Sequence, residues 1–302
     1  MSKAKTEHFA DRLLAAIEKK GSPVCVGIDP NVEMMPKAFR TDSSDPMEQL
    51  ELVSHFCADV LEVVAPHVPA IKPQIAYFEQ LPGPQPFFGM SLYTSVIRVA
   101  RKLGLIVIGD AKRGDIGSTA TAYARAHLAD ADAADAVTVN GYFGVDGVRP
   151  FLDAAREKGR GVFVLVRTSN PSAGTIQDFT DTAGRPFYEH MAGQVAEMGG
   201  NGLIGASGYS CLGAVVGATY PDEARRLRKI MPRQIFLVPG YGAQGATAVD
   251  CAAAFKPDGT GAIVNASRSV IYAHHRHPKL DWRKAVEKAV KEFAKDIRLA
   301  LA

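Results

Sequence analysis

Cysteine is scarce in this chain. There are four in 302 residues, at Cys25, Cys57, Cys211 and Cys251, far apart and without a CxxC pair. That spacing argues against a disulfide scaffold and for reduced thiols, as in the cytosol. Long apolar runs are missing too: no stretch approaches the roughly 18 uncharged apolar residues of a membrane span. The opening stretch, MSKAKTEHFADRLLAAIEKKGSP, places Asp11 and Arg12 where a signal peptide needs an apolar centre, so a cytoplasmic protein is expected. The net charge of +3 gives no basic stripe for nucleic acid, although it suits a small anionic ligand. HExxH, P-loop and GxSxG patterns do not occur.

What is present is a recurrence of short Val- and Ile-rich runs. They are VCVGID (24–29), PAIKP (69–73), LIVIGD (105–110), AVTVN (136–140), GVFVLVR (161–167), GAVVGA (213–218), IFLVPG (235–240) and GAIVNA (261–266). Most lack polar alternation, which marks parallel strands buried on both faces. Helical patterns lie between them. In 45–64, Leu50, Val53, Leu61 and Val64 fall at helical steps behind a first-turn Pro46. PDEARRLRKI follows strand six, and the tail carries Val286, Ala289, Val290, Phe293 and Ile297 along one stripe. Eight β–α alternations predict an α/β fold, a (β/α)8 TIM barrel. It is read as one domain over 1–302, with an N-terminal and a C-terminal helix packed outside. An open doubly wound sheet is the competing arrangement. GLIGAS (202–207) reads as loop, and the polar stretch 169–186 is long enough to be a lid.

Chemistry in such barrels collects at the C-terminal strand ends, and here those ends are polar. Strand one ends in Asp29, strand two in Lys72, strand three in Asp110 and Lys112, strand five in Thr168-Ser169-Asn170. Alternation along a strand places Asp110 and Lys112 on the same face, toward the mouth. Asp115 lies beyond, near the start of the next helix, where it could equally be a cap or a solvated rim charge. An array Lys72–Asp110–Lys112–Asp115 alternates in sign, and such alternation keeps partly buried charges ionised.

After strand seven, PGYGAQG contains GxGxxG at Gly240, Gly242 and Gly245. A dinucleotide site would want that motif early in the chain with an acid at the next strand end, and strand eight ends in Asn265 instead. A phosphate cradle fits better, with Arg268 clasping the group and Gln244 closing over it. Arg268 could otherwise be a surface ion-pair partner. His274, His275 and His277 resemble a metal cluster but lack supporting carboxylates, and no metal is expected there. Tyr77 and Phe78 read as packing residues.

DAKRGDIGSTA (110–120) resembles the signature of the orotidine 5′-phosphate decarboxylases, in particular their longer-chain bacterial branch. GID, IKPQIAYFE, RTSNP, VVGATYP, PGYGAQG and NASRSV resemble that branch in the same order, over residues 24–272. DxKxxD alone is shared with sugar-phosphate decarboxylases and hexulose-phosphate synthases; the full run is more specific. The resemblance implies decarboxylation of orotidine 5′-phosphate to UMP, without a cofactor, by a homodimer with shared sites. It implies that Lys112 protonates C6 of the pyrimidine, that Asp110 faces the departing carboxylate, and that Lys72 and Asp29 bind ribose hydroxyls. Asp115 and Thr119 would reach into the partner's site, and Gln244 and Arg268 would hold the 5′-phosphate. Ser169, or else Thr168, would touch the pyrimidine edge. The alternatives are a sugar-phosphate decarboxylase or aldolase of the same superfamily, and a non-catalytic nucleotide-binding barrel.

Overall fold

The computed structural model describes residues 6–200, 202–242 and 244–302. Eight parallel strands pair in sequence order and close on themselves: β1 (Val24–Ile28), β2 (Ala70–Pro73), β3 (Ile106–Arg113), β4 (Ala136–Val139), β5 (Gly161–Arg167), β6 (Leu212–Val216), β7 (Phe236–Pro239) and β8 (Ala262–Ala266). Pairing of β1 with β8, Cys25 opposite Asn265, seals the barrel and rules out the open sheet. The strands are almost wholly buried, as their unbroken Val/Ile content requires. GLIGAS lies outside the strands, with an isolated bridge from Ile204 to Ser210.

The helices are α1 (Phe9–Lys20), α2 (Pro46–Val64), α3 (Ile75–Glu79), α4 (Met90–Lys102), α5 (Gly117–Leu128), α6 (Val145–Lys158), α7 (Gly174–Gln177), α8 (Phe187–Met198), α9 (Pro221–Ile230), α10 (Ala248–Ala252), α11 (Arg268–Ile271) and α12 (Trp282–Leu301). Local chemistry sets their starts. The Asp45 carboxylate accepts the Met47 amide ahead of Pro46, and Asp281 does the same for Arg283 at α12. The whole expected stripe of α12 is buried.

Helix α1 packs across the N-terminal strand ends. The Phe9 ring meets Phe163 of β5 edge-on at 5.9 Å, and Arg12 pairs with Asp135, which precedes β4, at 2.9 Å. Helix α12 lies against α2, with Trp282 edge-on to Phe39 at 5.2 Å. It also reaches the loop after β7: the Tyr241 ring stacks on Phe293 at 4.6 Å and its hydroxyl donates to Asp296 at 2.7 Å. All four cysteines are unpaired and buried, and burial pushes the Cys25, Cys57 and Cys251 thiols up to about 12. Among the described residues, no helix is long and apolar enough to cross a membrane.

Candidate active site

A cavity of about 470 Å³ opens among the C-terminal strand ends. Asp29, Lys72, Asp110, Lys112, Thr168, Ser169, Gln244 and Arg268 all line it. Seven of the nine expected site residues therefore meet in one place. Asp115 and Thr119 do not line it. The Asp115 carboxylate accepts the amide of Ile116 at 2.8 Å, and Thr119 is exposed on α5. Asp115 is not the helix cap either, because Ile116 occupies that position.

Asp110 is the centre of the charge cluster. It is buried, and it accepts from Lys72 at 2.5 Å, Lys112 at 2.6 Å, Thr138 at 2.9 Å and Gln74 at 3.2 Å. Burial favours a neutral acid, but the two ammonium groups outweigh it and hold the carboxyl well below its usual range. Burial likewise opposes the charge on Lys72, yet Asp110 and Asp29 together keep its ammonium protonated to higher pH than a free lysine. Asp110 and Lys72 thus compensate each other and stay charged throughout the neutral range.

Simple alternation does not explain how Lys112 reaches Asp110. β3 runs past Asp110 to Arg113, and its register against β4 shifts between Gly109 and Arg113. At that irregularity Lys112 has φ +48°, a left-handed conformation that costs a side-chain-bearing residue on the order of 1–2 kcal/mol. Its amide, turned away from the regular ladder, donates to the Thr138 hydroxyl at 3.0 Å, and that hydroxyl donates on to Asp110. Thr138 was not picked out from the sequence. A single hydroxyl inside the apolar run AVTVN was the available signal. On the outer side, Arg113 pairs with Glu79 of α3.

The other end of the cavity is built differently. Gly240, Gly242 and Gly245 all have positive φ, so the β7 loop turns as a side-chain-bearing chain would not. Ser267 sits so close to β1 that a Cβ on Gly27 would lie 2.6 Å from its own Cβ. Of the residues lining the cavity, Asp29, Asn265 and Ser267 each carry a buried side-chain oxygen with no protein partner among the described residues. Such atoms are rare in native interiors, and these face a cavity able to take a polar group. Arg268 makes no ion pair among the described residues and lines the cavity, as does Gln244. The donors suit an oxyanion such as a phosphate.

The choice between Thr168 and Ser169 narrows as well. The Thr168 hydroxyl accepts from Gln177 and donates to Asn170, both at 2.7 Å, so its proton is used. Of the histidines after β8, His275 bonds the Met34 carbonyl at 2.9 Å, and among the described residues no three or more His, Cys, Asp or Glu side chains are grouped so as to hold a metal ion. Phe78 is fully buried against Tyr93, as expected of a packing residue.

Comparison with known proteins agrees with this geometry. The sequence profile of the orotidine 5′-phosphate decarboxylase / HUMPS family matches residues 22–285. A Rhodopirellula baltica protein named orotidine 5′-phosphate decarboxylase is 43% identical, over 96% of this chain and 99% of its own. A Deinococcus radiodurans protein of the same name is 42% identical, over 89% and 90% respectively. The solved Leishmania donovani OMP decarboxylase superposes with a TM-score of 0.75 at 29% identity, covering 97% of this chain and 99% of that one.

Proposed function

This chain belongs to the orotidine 5′-phosphate decarboxylase / HUMPS family, and from that membership we propose how its cavity works. The enzyme is a carboxy-lyase that takes CO2 from orotidine 5′-phosphate and leaves UMP, the last step of de novo pyrimidine nucleotide synthesis. The observation that carries the mechanism is the buried Asp110 held between the ammonium groups of Lys72 and Lys112.

In this reading the substrate carboxylate lies against Asp110. Two unit charges ~4 Å apart at an effective dielectric of ~20 repel by about 4 kcal/mol, which the flanking lysines reduce. The repulsion vanishes when neutral CO2 departs. The C6–carboxylate bond breaks with both electrons left on C6, and the Lys112 ammonium stabilises that charge and then delivers its proton to the carbon. Lys112 is reprotonated from solvent. Lys72 and Asp29 hold the ribose hydroxyls, and Ser169 meets the pyrimidine edge. Gln244 and Arg268 grip the phosphate, whose binding energy is spent on closing the site around the base.

We assign Asp115 and Thr119 to the partner's cavity in a homodimer. Support comes from their position off their own cavity and from the exposed apolar side chains of Ile116, next to Asp115 in sequence, and of Tyr142 and Phe143, the latter packed beside Gly114. The four unpaired buried thiols fit a reducing compartment, in keeping with a cytoplasmic enzyme.

The decisive assay follows the ultraviolet absorbance of orotidine 5′-phosphate with protein treated with EDTA. Steady loss of substrate is expected. Binding of UMP without turnover would favour a nucleotide-binding barrel instead, and turnover abolished by EDTA would favour an aldolase-type relative.

A further inference from the structure

Arg167, the last residue of β5, is the largest fully buried side chain, only 1% exposed. Its guanidinium pairs with Glu223 of α9 at 2.5 Å and with Asp178, just past α7, at 2.8 Å. The same group donates to the Gln177 amide oxygen at 3.4 Å. Tyr220 and Tyr188 rings flank it at 4.0 and 4.9 Å. A buried charge persists only where it is neutralised and hydrogen-bonded, so this arrangement fixes the elements that supply its partners. One of them is the segment 174–178, part of the polar stretch that the sequence suggested as a lid.

Gln177 carries the effect toward the cavity. Its side-chain oxygen accepts the Thr168 amide at 3.0 Å while its NH2 group donates to the Thr168 hydroxyl at 2.7 Å. One carboxamide thus holds both polar groups of Thr168. Ser169 follows directly and packs against the chain just past β6, where a Cβ on Gly217 would stand 2.9 Å from that of Ser169. The Gly217 amide in turn donates to the Arg167 carbonyl at 2.8 Å.

We propose that Gln177, pinned by Arg167, is a positioning residue for recognition of the pyrimidine: it engages Thr168, leaves the Ser169 hydroxyl to meet the base, and so braces from behind the 168–170 stretch that lines the pocket. The proposal rests on the decarboxylase reading above and adds what selects the ring. It predicts an effect confined to the base end, because the phosphate grip comes from the loops after β7 and β8.

Calorimetric titration with UMP and with ribose 5-phosphate separates the two ends. Gln177→Leu is expected to weaken UMP about tenfold, the scale of one or two neutral hydrogen bonds, and to leave ribose 5-phosphate within twofold. KM for orotidine 5′-phosphate should rise in step. Gln177→Glu keeps the acceptor beside Arg167 and the Thr168 amide, and should restore UMP affinity to within threefold. Asp178→Asn, at a position 53% exposed and with Glu223 left to neutralise Arg167, should shift UMP alone and in the same direction. Unchanged UMP affinity in Gln177→Leu and Asp178→Asn, or equal loss of both ligands, would overturn the assignment. Wild-type protein that fails to turn over orotidine 5′-phosphate would instead remove the underlying function.

Discussion

Lys112 Nζ stands 2.6 Å from Asp110 because the backbone between them leaves the regular strand, with Lys112 at φ +48°. The same distortion sends its amide to Thr138, so one hydroxyl supports both the bent chain and the carboxylate. Strain of this kind persists where the surroundings over-determine it, and here they comprise β4, Asp110 and the outward pair Arg113–Glu79.

Two variants at this position separate chemistry from strain. Lys112→Ala and Lys112→Gly should both fold and both lose several orders of magnitude in kcat. Glycine is at ease with positive φ and alanine is not, so the Gly variant should be more stable than the Ala variant by about 1 kcal/mol. Urea titration reads the difference and single-turnover assays read the rate. Near-normal turnover in either variant would refute the role given to Lys112.

At the opposite end of the cavity, Arg268→Ala should mainly raise KM for orotidine 5′-phosphate. Loss of a charge-assisted pair corresponds to about 1.5–3 kcal/mol, or roughly ten- to two-hundred-fold. An unchanged KM removes Arg268 from the phosphate site.

The shared site can be tested by mixing. Asp115→Ala and Lys112→Ala subunits, each inactive alone, should regain part of the wild-type rate when co-refolded, since a mixed dimer holds one intact site. Mixed dimers verified by mass spectrometry and still inactive would count against sharing.

His127 on α5 gives a pH prediction. Burial, aided by the nearby Arg113 charge and only partly offset by Glu79, lowers its pKa from 6.5 to about 4. Above pH 6.5 neither folded nor unfolded chain is protonated there. Between about 6.5 and 4 only the unfolded chain takes the proton, so stability falls with acid, by an amount approaching roughly 2–3 kcal/mol. His127→Gln should be less acid-sensitive than wild type over that interval. Urea midpoints at pH 7.5 and 5.0 measure it, and equal losses in both proteins would discount the histidine.

Much of this was legible in the sequence. The Val/Ile runs located the strands, GVFVLVR coinciding with β5 residue for residue, because parallel strands buried on two faces need unbroken apolar chain. The charges at strand ends located the cavity for the same reason: few other groups are placed there without a purpose. Contacts set by register between distant strands were not legible. Thr138 meets Asp110 across 28 residues and Arg167 meets Glu223 across 56, and no local pattern encodes either distance. The irregularity in β3 was hidden as well, since DAKR reads as ordinary strand until its neighbour's hydroxyl is known.

The anchoring of Tyr241 to Phe293 and Asp296 ties the last helix to the loop after β7, to which the proposed function gives the phosphate. Trimming that helix from its far end would therefore show up as slackened hold on nucleotide well before the barrel melted. A cargo fused behind Ala302 calls for a spacer long enough that it does not tug on the same tether.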